Sequence, residues 1–197
     1  MPGDRQALRQ SLYRLAAGQA GYFTAAQALG VGYSYQAQKH HVDHGNWRRV
    51  DRGVFRIPEW PSGVNDALVR WVLWSKHRGV VSHDSAAAAH DLGVVNPSRV
   101  HLTVPPDFRK RDEAVVLHPR VLPKADITVL DGAPLTTVLR TVLDIVESHV
   151  DEELIESVVG DALALGAVTG GQIERRLSEL DDGARSRAAR VLGGVRP

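Results

Sequence analysis

The sequence predicts an α+β chain in two parts: a small helical unit closed by a hairpin over residues 1–60, then a mixed α/β domain over residues 61–197 with a small sheet and several helices. Apolar residues at spacings of three and four recur in both parts, which is the helical period. Short β-branched runs bounded by Pro and Gly lie among them, as strands require. Between the parts, "IPEWPSG" at Ile57–Gly63 breaks both patterns and sets the expected boundary.

In chain order, Leu8, Leu12, Leu15 and Ala16 form one stripe of a first helix, which Gly21 ends. Thr24 is placed to cap a second helix over Ala25–Leu29, closed by Gly30. A third begins at Ser34 and stops at Gly45. Trp47–Val50 and Val54–Ile57 then read as two strands, joined through Asp51-Arg52-Gly53 with Gly where a positive φ is needed. Past the boundary, a helix carries Val64, Ala67, Leu68, Trp71, Val72 and Ser75, and Ser82 can cap "SAAAAHDLG". "RVHLTVPP", "AVVLHP" and "ADITVL" read as strands. Leu135, Val138, Leu139, Val142, Leu143 and Val146 make an apolar helical stripe with Thr136 or Thr137 at its start. Two more helices follow near Asp151–Leu165 and Thr169–Leu180, and a weakly amphipathic tail frays at Gly193-Gly194.

Composition narrows the function classes. With 43% hydrophobic and 24% charged residues, 197 residues can bury an ordinary globular core. The absence of cysteine excludes disulfides, thiolate metal sites and thiol nucleophiles. No apolar run approaches the ~20 residues that span a membrane, and "MPGDRQALRQ" lacks a secretion-signal core. A cytoplasmic location without membrane partners is the expectation. Net charge is +1, but residues 1–60 hold eight Lys/Arg against four Asp/Glu, so the excess cations sit in the first part. That part is the one expected to meet an anionic partner.

Projected from Ser34, the third helix places Ala37, Gln38, His41 and Val42 on one side and Gln36, Lys39, His40 and Asp43 on the other. A short helix, a Gly turn and a polar-faced helix make a helix-turn-helix, whose second helix enters the major groove with its N-terminal residues on base edges. The hairpin that follows is a wing. Residues 1–60 therefore read as a winged helix-turn-helix DNA-binding domain. Ser34, Tyr35, Gln36, Lys39 and His40 are its candidate base-side contacts, and Arg48, Arg49, Arg52 and Arg56 its candidate phosphate contacts. A solvated three-helix unit with no ligand would show similar faces; four arginines within nine residues favour the nucleic-acid reading. His40, His41 and His44 have metal-ligand spacing but no local completing set, so no metal is expected. His41, facing inward, is read as a core histidine.

Four blocks in order, "GYFTAAQALGVGYS", "HGNWRRVDRGVFRIP", "GVVSHDSAAAAHDLGVVNPSRVHLTVP" and "GAPLTTVLRTVLDIV", resemble the AbiEi family of type IV toxin–antitoxin antitoxins over about residues 15–165. The resemblance implies a winged helix-turn-helix that represses its own operon at promoter repeats. It also implies a C-terminal antitoxin domain over residues 61–197. That domain counters a cognate nucleotidyltransferase-like toxin functionally, whether or not the two make direct contact. Ser82, His83 and Ser85 of the SHDSA block and Arg140 and Asp144 of the RTVLD block would be antitoxin-domain residues. Where the family has apolar residues on the inner side of the recognition helix, this chain has Gln38 and His41.

Catalysis finds little support. After residue 61 there are three lysines, Lys76, Lys110 and Lys124, and none completes a metal-dependent nuclease motif. A nucleotidyltransferase's Gly-Ser and Asp-x-Asp elements are missing too, so the chain is not expected to be the toxin. "SHDS" at Ser82–Ser85 could suggest a hydrolase dyad or an HD-type metal site, but helix capping by Ser82 and Asp84 is the plainer account. Arg140 and Asp144, four apart, are expected as an exposed pair worth a few tenths of a kcal/mol. "DFRKRD" at Asp107–Asp112 is expected as a solvated basic loop, with a second phosphate contact, or a surface meeting the toxin, its substrate RNA or operon DNA, as the alternatives. No catalytic residue and no cofactor is assigned. The alternative function is a winged-helix regulator whose second domain senses a ligand or dimerises.

Overall fold

The computed structural model describes residues 2–149 and 151–194. They form an α+β chain that divides into two compact units, residues 1–77 with 129–133, and residues 78–128 with 134–197. In the first unit come α1 (Pro2–Ala17), β1 (Tyr22–Thr24), α2 (Ala25–Val31), α3 (Tyr35–Asp43), β2 (Arg48–Asp51), β3 (Val54–Arg56) and α4 (Asp66–Trp74). Then follow β4 (Val80–Val81), α5 (His83–Ala89), β5 (Val100–Val104), β6 (Val115–Pro119), β7 (Ile127–Leu130) and β8 (Ala133–Thr136). The chain continues through α6 (Val138–Ser148), α7 (Glu152–Ala164), α8 (Gly170–Arg176) and α9 (Asp182–Gly194).

Two caps fix the helix-turn-helix. Thr24 accepts from the Gln27 amide while the Gln27 side chain accepts from the Thr24 amide, a reciprocal capping box. Ser34 caps α3 by accepting from the Ala37 amide. α2 runs two residues past its expected end, to Val31, and is closed by Gly32, whose φ of 119° supplies the left-handed cap. Leu12, Ala16, Phe23, Ala28, Tyr33, Trp47, Phe55 and Ile57 form the buried core of this unit.

The hairpin is the expected one, with Gly53 at φ 74° in its turn. An unexpected third strand joins it. β1 pairs antiparallel with β3, Phe23 opposite Phe55, so the sheet order is β1-β3-β2 and β3 is central. At Gly21, φ is 79° and a Cβ would fall 2.3 Å from Trp60 Cγ, so the turn into β1 admits no side chain.

The first unit extends to His77, past the Ile57–Gly63 break from which the sequence reading began its second domain. The physical reason is Arg56, whose guanidinium donates to Asp66 on α4 at 2.5 Å and to the Pro61 carbonyl at 3.0 Å. The Pro-rich segment is thus a turn inside one unit.

A five-stranded sheet has the order β6-β5-β4-β8-β7, with β5–β6 and β4–β8 parallel and β4–β5 antiparallel. Two of its strands, β4 and β8, lie outside the expected set. Leu135, expected in the helical stripe, sits on β8, and Thr137 caps α6 by accepting from the Arg140 amide. Helices α5 to α9 enclose a core that includes Leu92, Val142, Leu143, Ile145, Val146, Ile155, Val158 and Ile173. Regular helix continues to Gly194, because Ala184, Ala188, Val191 and Leu192 bury one face of α9 in that core.

Candidate nucleic-acid interface

The projection of α3 agrees with the structure. Gln36, Lys39 and His40 are exposed, with Ser34 and Tyr35 exposed at the N-terminus, while Gln38 is buried. The departure from an apolar inner face has a simple resolution. Gln38 Nε2 donates to the carbonyls of Ala25 and Tyr33, each at 3.1 Å, so the buried amide is satisfied and pins α3 to α2. His41 lies parallel to Trp47 with centroids 4.7 Å apart and edge-on to Tyr33, and burial lowers its pKa. It is a half-buried histidine packed against the core. His40 stacks on His44 at 3.9 Å, and among the described residues no group of three His, Asp or Glu can hold a metal. Lys39 pairs with Asp43 at 2.5 Å with both side chains solvated, so its ammonium remains on the outer face.

On the hairpin, Arg48, Arg49 and Arg52 are exposed. Arg56 is not. It lies on central strand β3, only 5% exposed, over the Tyr22 ring at 5.1 Å and locked to Asp66. Its assignment as a phosphate contact is therefore corrected: the charge that seemed part of the wing is an internal strut.

Residues 10–58 match the family model described as transcriptional regulator, AbiEi antitoxin. Over that segment the chain is similar to the AbiEi antitoxin family. The match spans α3 and the hairpin and stops short of the SHDSA and RTVLD blocks. The fold is similar to the crystal structure of the RV2827C protein from Mycobacterium tuberculosis, at a TM-score of 0.60 and 16% identity, covering 94% of this chain and 77% of that one. No curated protein matches. No helix among the described residues is long and apolar enough to cross a membrane.

Beyond residues 10–58, the structure brings together the SHDSA and RTVLD residues. Ser82 makes no capping hydrogen bond, contrary to expectation. Its Oγ instead accepts from Thr103 Oγ1 at 2.8 Å and lies 2.9 Å from His83 Nδ1. Ser85 Oγ accepts from the His101 amide at 2.9 Å, stitching α5 to β5. The Arg140–Asp144 pair, expected on the surface, is 3% and 1% exposed, with Nε and Nη2 donating to one carboxylate oxygen at 2.9 and 2.6 Å. The other oxygen, Asp144 Oδ2, is buried without a hydrogen-bond partner, 3.9 Å from His83 Nδ1. Burial raises the Asp144 pKa against the pull of Arg140.

His83 has a left-handed backbone, φ 52°, a strained state for a non-glycine residue. Its ring stacks on His118 at 3.4 Å, and His118 Nε2 lies 3.2 Å from His101 Nδ1. Burial, then the neighbouring imidazoles, lower the pKa of His83 to about 2, and burial lowers that of His118 to about 4. Arg120 grips Glu147 with two 2.8 Å contacts at the mouth of a 260 Å³ cavity that reaches His83 and His118. His101, His118, Arg120 and Glu147 escaped the sequence reading. Only the parallel β5–β6 register, with Thr103 opposite His118, brings the two histidine strands together. The Asp107–Asp112 segment is an irregular loop anchored by buried Phe108, with Arg109 and Arg111 exposed.

Proposed function

We propose that the chain is a type IV antitoxin that represses its own operon by binding repeats in promoter DNA and counters a nucleotidyltransferase-like toxin. The supporting observation is the division of labour within residues 10–58. Gln38, His41 and Arg56 are turned into the fold, leaving Gln36, Lys39 and His40 on α3 and Arg48, Arg49 and Arg52 on the hairpin in solvent. In this reading α3 lies in the major groove. Ser34, Tyr35, Gln36, Lys39 and His40 face bases or flanking phosphates, and the three wing arginines neutralise phosphates. Helix-capping Ser34 leaves the positive end of α3 directed to the duplex.

For the second unit we propose a structural part for Ser82, His83, Ser85, Arg140 and Asp144, supported by their burial and mutual hydrogen bonds. They hold the antitoxin unit in shape, and no reaction is assigned to them. The test is co-expression with the product of the adjacent gene. Growth arrest by that product alone, relieved by this chain, is the expected result. An adjacent product that is harmless alone, or arrest that this chain leaves untouched, overturns the antitoxin reading and leaves a winged-helix regulator.

A further inference from the structure

A cavity of about 650 Å³ opens in the first unit between α1 and α3, within the ~300–1,000 Å³ range of small-ligand sites. Aromatic rings line it: Tyr33 and Trp47 are buried, His41 lies against Trp47, and Tyr13 adds a ring from α1. Its charged lining is different in kind. Arg5 and Arg9 come from α1, and Glu59 is the one acid among the lining residues. The Arg9 guanidinium sits 5.4 Å from the Tyr13 ring centroid, and the Tyr13 hydroxyl accepts from it, raising its pKa. Two cations against one carboxylate leave a positive excess beside flat apolar surfaces.

We propose that this cavity binds a planar aromatic acid, with its ring against Tyr33, Trp47 and His41 and its carboxylate on Arg9 and Arg5. Guanidinium groups present paired donors that match a carboxylate, and offset aromatic packing favours a flat ring over an aliphatic body. The cavity also explains a consequence for regulation. Ser34 and His40 line it, and both stand among the proposed DNA contacts. An anion held there adds negative charge where the duplex would lie, so ligand and DNA oppose each other. By linkage, each lowers the other's affinity by one factor. This coupling rests on the proposed reading of α3; ligand binding itself does not.

Calorimetry on the full chain with salicylate tests the site directly, with salicylamide as a neutral analogue and acetate as a charge without a ring. The expected result is a one-to-one isotherm with Kd below about 1 mM. Salicylamide, acetate and Arg9→Ala should each weaken binding at least ~tenfold. Absence of salicylate binding, equal binding of salicylamide or acetate, or indifference to Arg9→Ala overturns the site. Saturating salicylate should then weaken retardation of a promoter duplex at least ~fivefold. Unchanged retardation overturns the competition. If salicylate binds as expected yet the ligand-free chain retards no duplex, the reading of α3 fails while the cavity stands.

Discussion

Among the described residues, two helices hold an ion pair between residues four positions apart, and the two pairs serve opposite ends. Lys39 and Asp43 on α3 are 74% and 50% exposed at the side chain; Arg140 and Asp144 on α6 are 3% and 1% exposed. The first pair competes with water and keeps a mobile cation on a helix face available to a polyanion. The second has lost its water, so each partner depends on the other. Spacing brings such residues together, and burial decides whether they become an interface or a brace. The arginines of the hairpin repeat the lesson within nine residues. Arg52 at the turn is exposed, whereas Arg56 on the central strand is sealed against Asp66 and Tyr22.

The contrast is sharpest under mutation. Arg140→Ala should destabilise the second unit by about 3–5 kcal/mol, because it strands a buried carboxylate. Replacing both partners, Arg140→Met with Asp144→Leu, should recover most of that loss. Urea unfolding followed by circular dichroism checks both, and a single variant as stable as the parent would show that the brace is ornamental. Arg56→Ala should cost about 3 kcal/mol in the first unit by unpairing Asp66, with DNA affinity per folded molecule unchanged. A weakened but fully folded variant would return Arg56 to the wing.

Acid should separate the units next. Unfolded imidazoles take up protons near pH 6.5, whereas burial holds His118 to about 4 and His83 to about 2. Below pH 6.5 the unfolded chain therefore binds more protons, and stability falls as pH drops through that window. Asp144 acts in the opposite sense, since its raised pKa adds stability at low pH and loses it as pH rises. Between pH 6.5 and about 4 the folded state withholds protons at two imidazoles and holds at most one extra at the carboxyl, so the histidines outweigh it. The urea midpoint of the second unit should be lower at pH 5 than at pH 7; equal midpoints would mean these rings accept protons in the folded state. The smallest effect on folding is expected from Lys39→Ala, which should leave the melting temperature within error of the parent. Its effect should appear instead as a loss of preference for promoter over random duplex by ~1–3 kcal/mol, measured by competition titration. Equal loss on both duplexes would make Lys39 a plain phosphate contact.

Local chemistry was readable from the residues. Thr24 and Ser34 announced two caps, Gly53 a turn, and the period of α3 its inner and outer faces, down to a buried Gln38. What escaped depends on partners distant in sequence. β1 is three residues long and exists because β3 lies beside it, and β4 is two residues held between β5 and β8. The same long-range pairing buried Arg56 and placed His118 over His83. No local pattern distinguishes a strand arginine in the centre of a sheet from one at its edge, so the exposed part of the candidate interface was legible and its limit was not.

The salt dependence of promoter binding is the most direct measurement of the central claim, that exposed hairpin cations and the polar face of α3 meet one duplex. The slope of log affinity against log salt for the intact chain should flatten by about 0.9 for each phosphate contact removed, hence by nearly 2 in an Arg49→Ala, Arg52→Ala double variant. A slope identical to that of the parent would contradict the account.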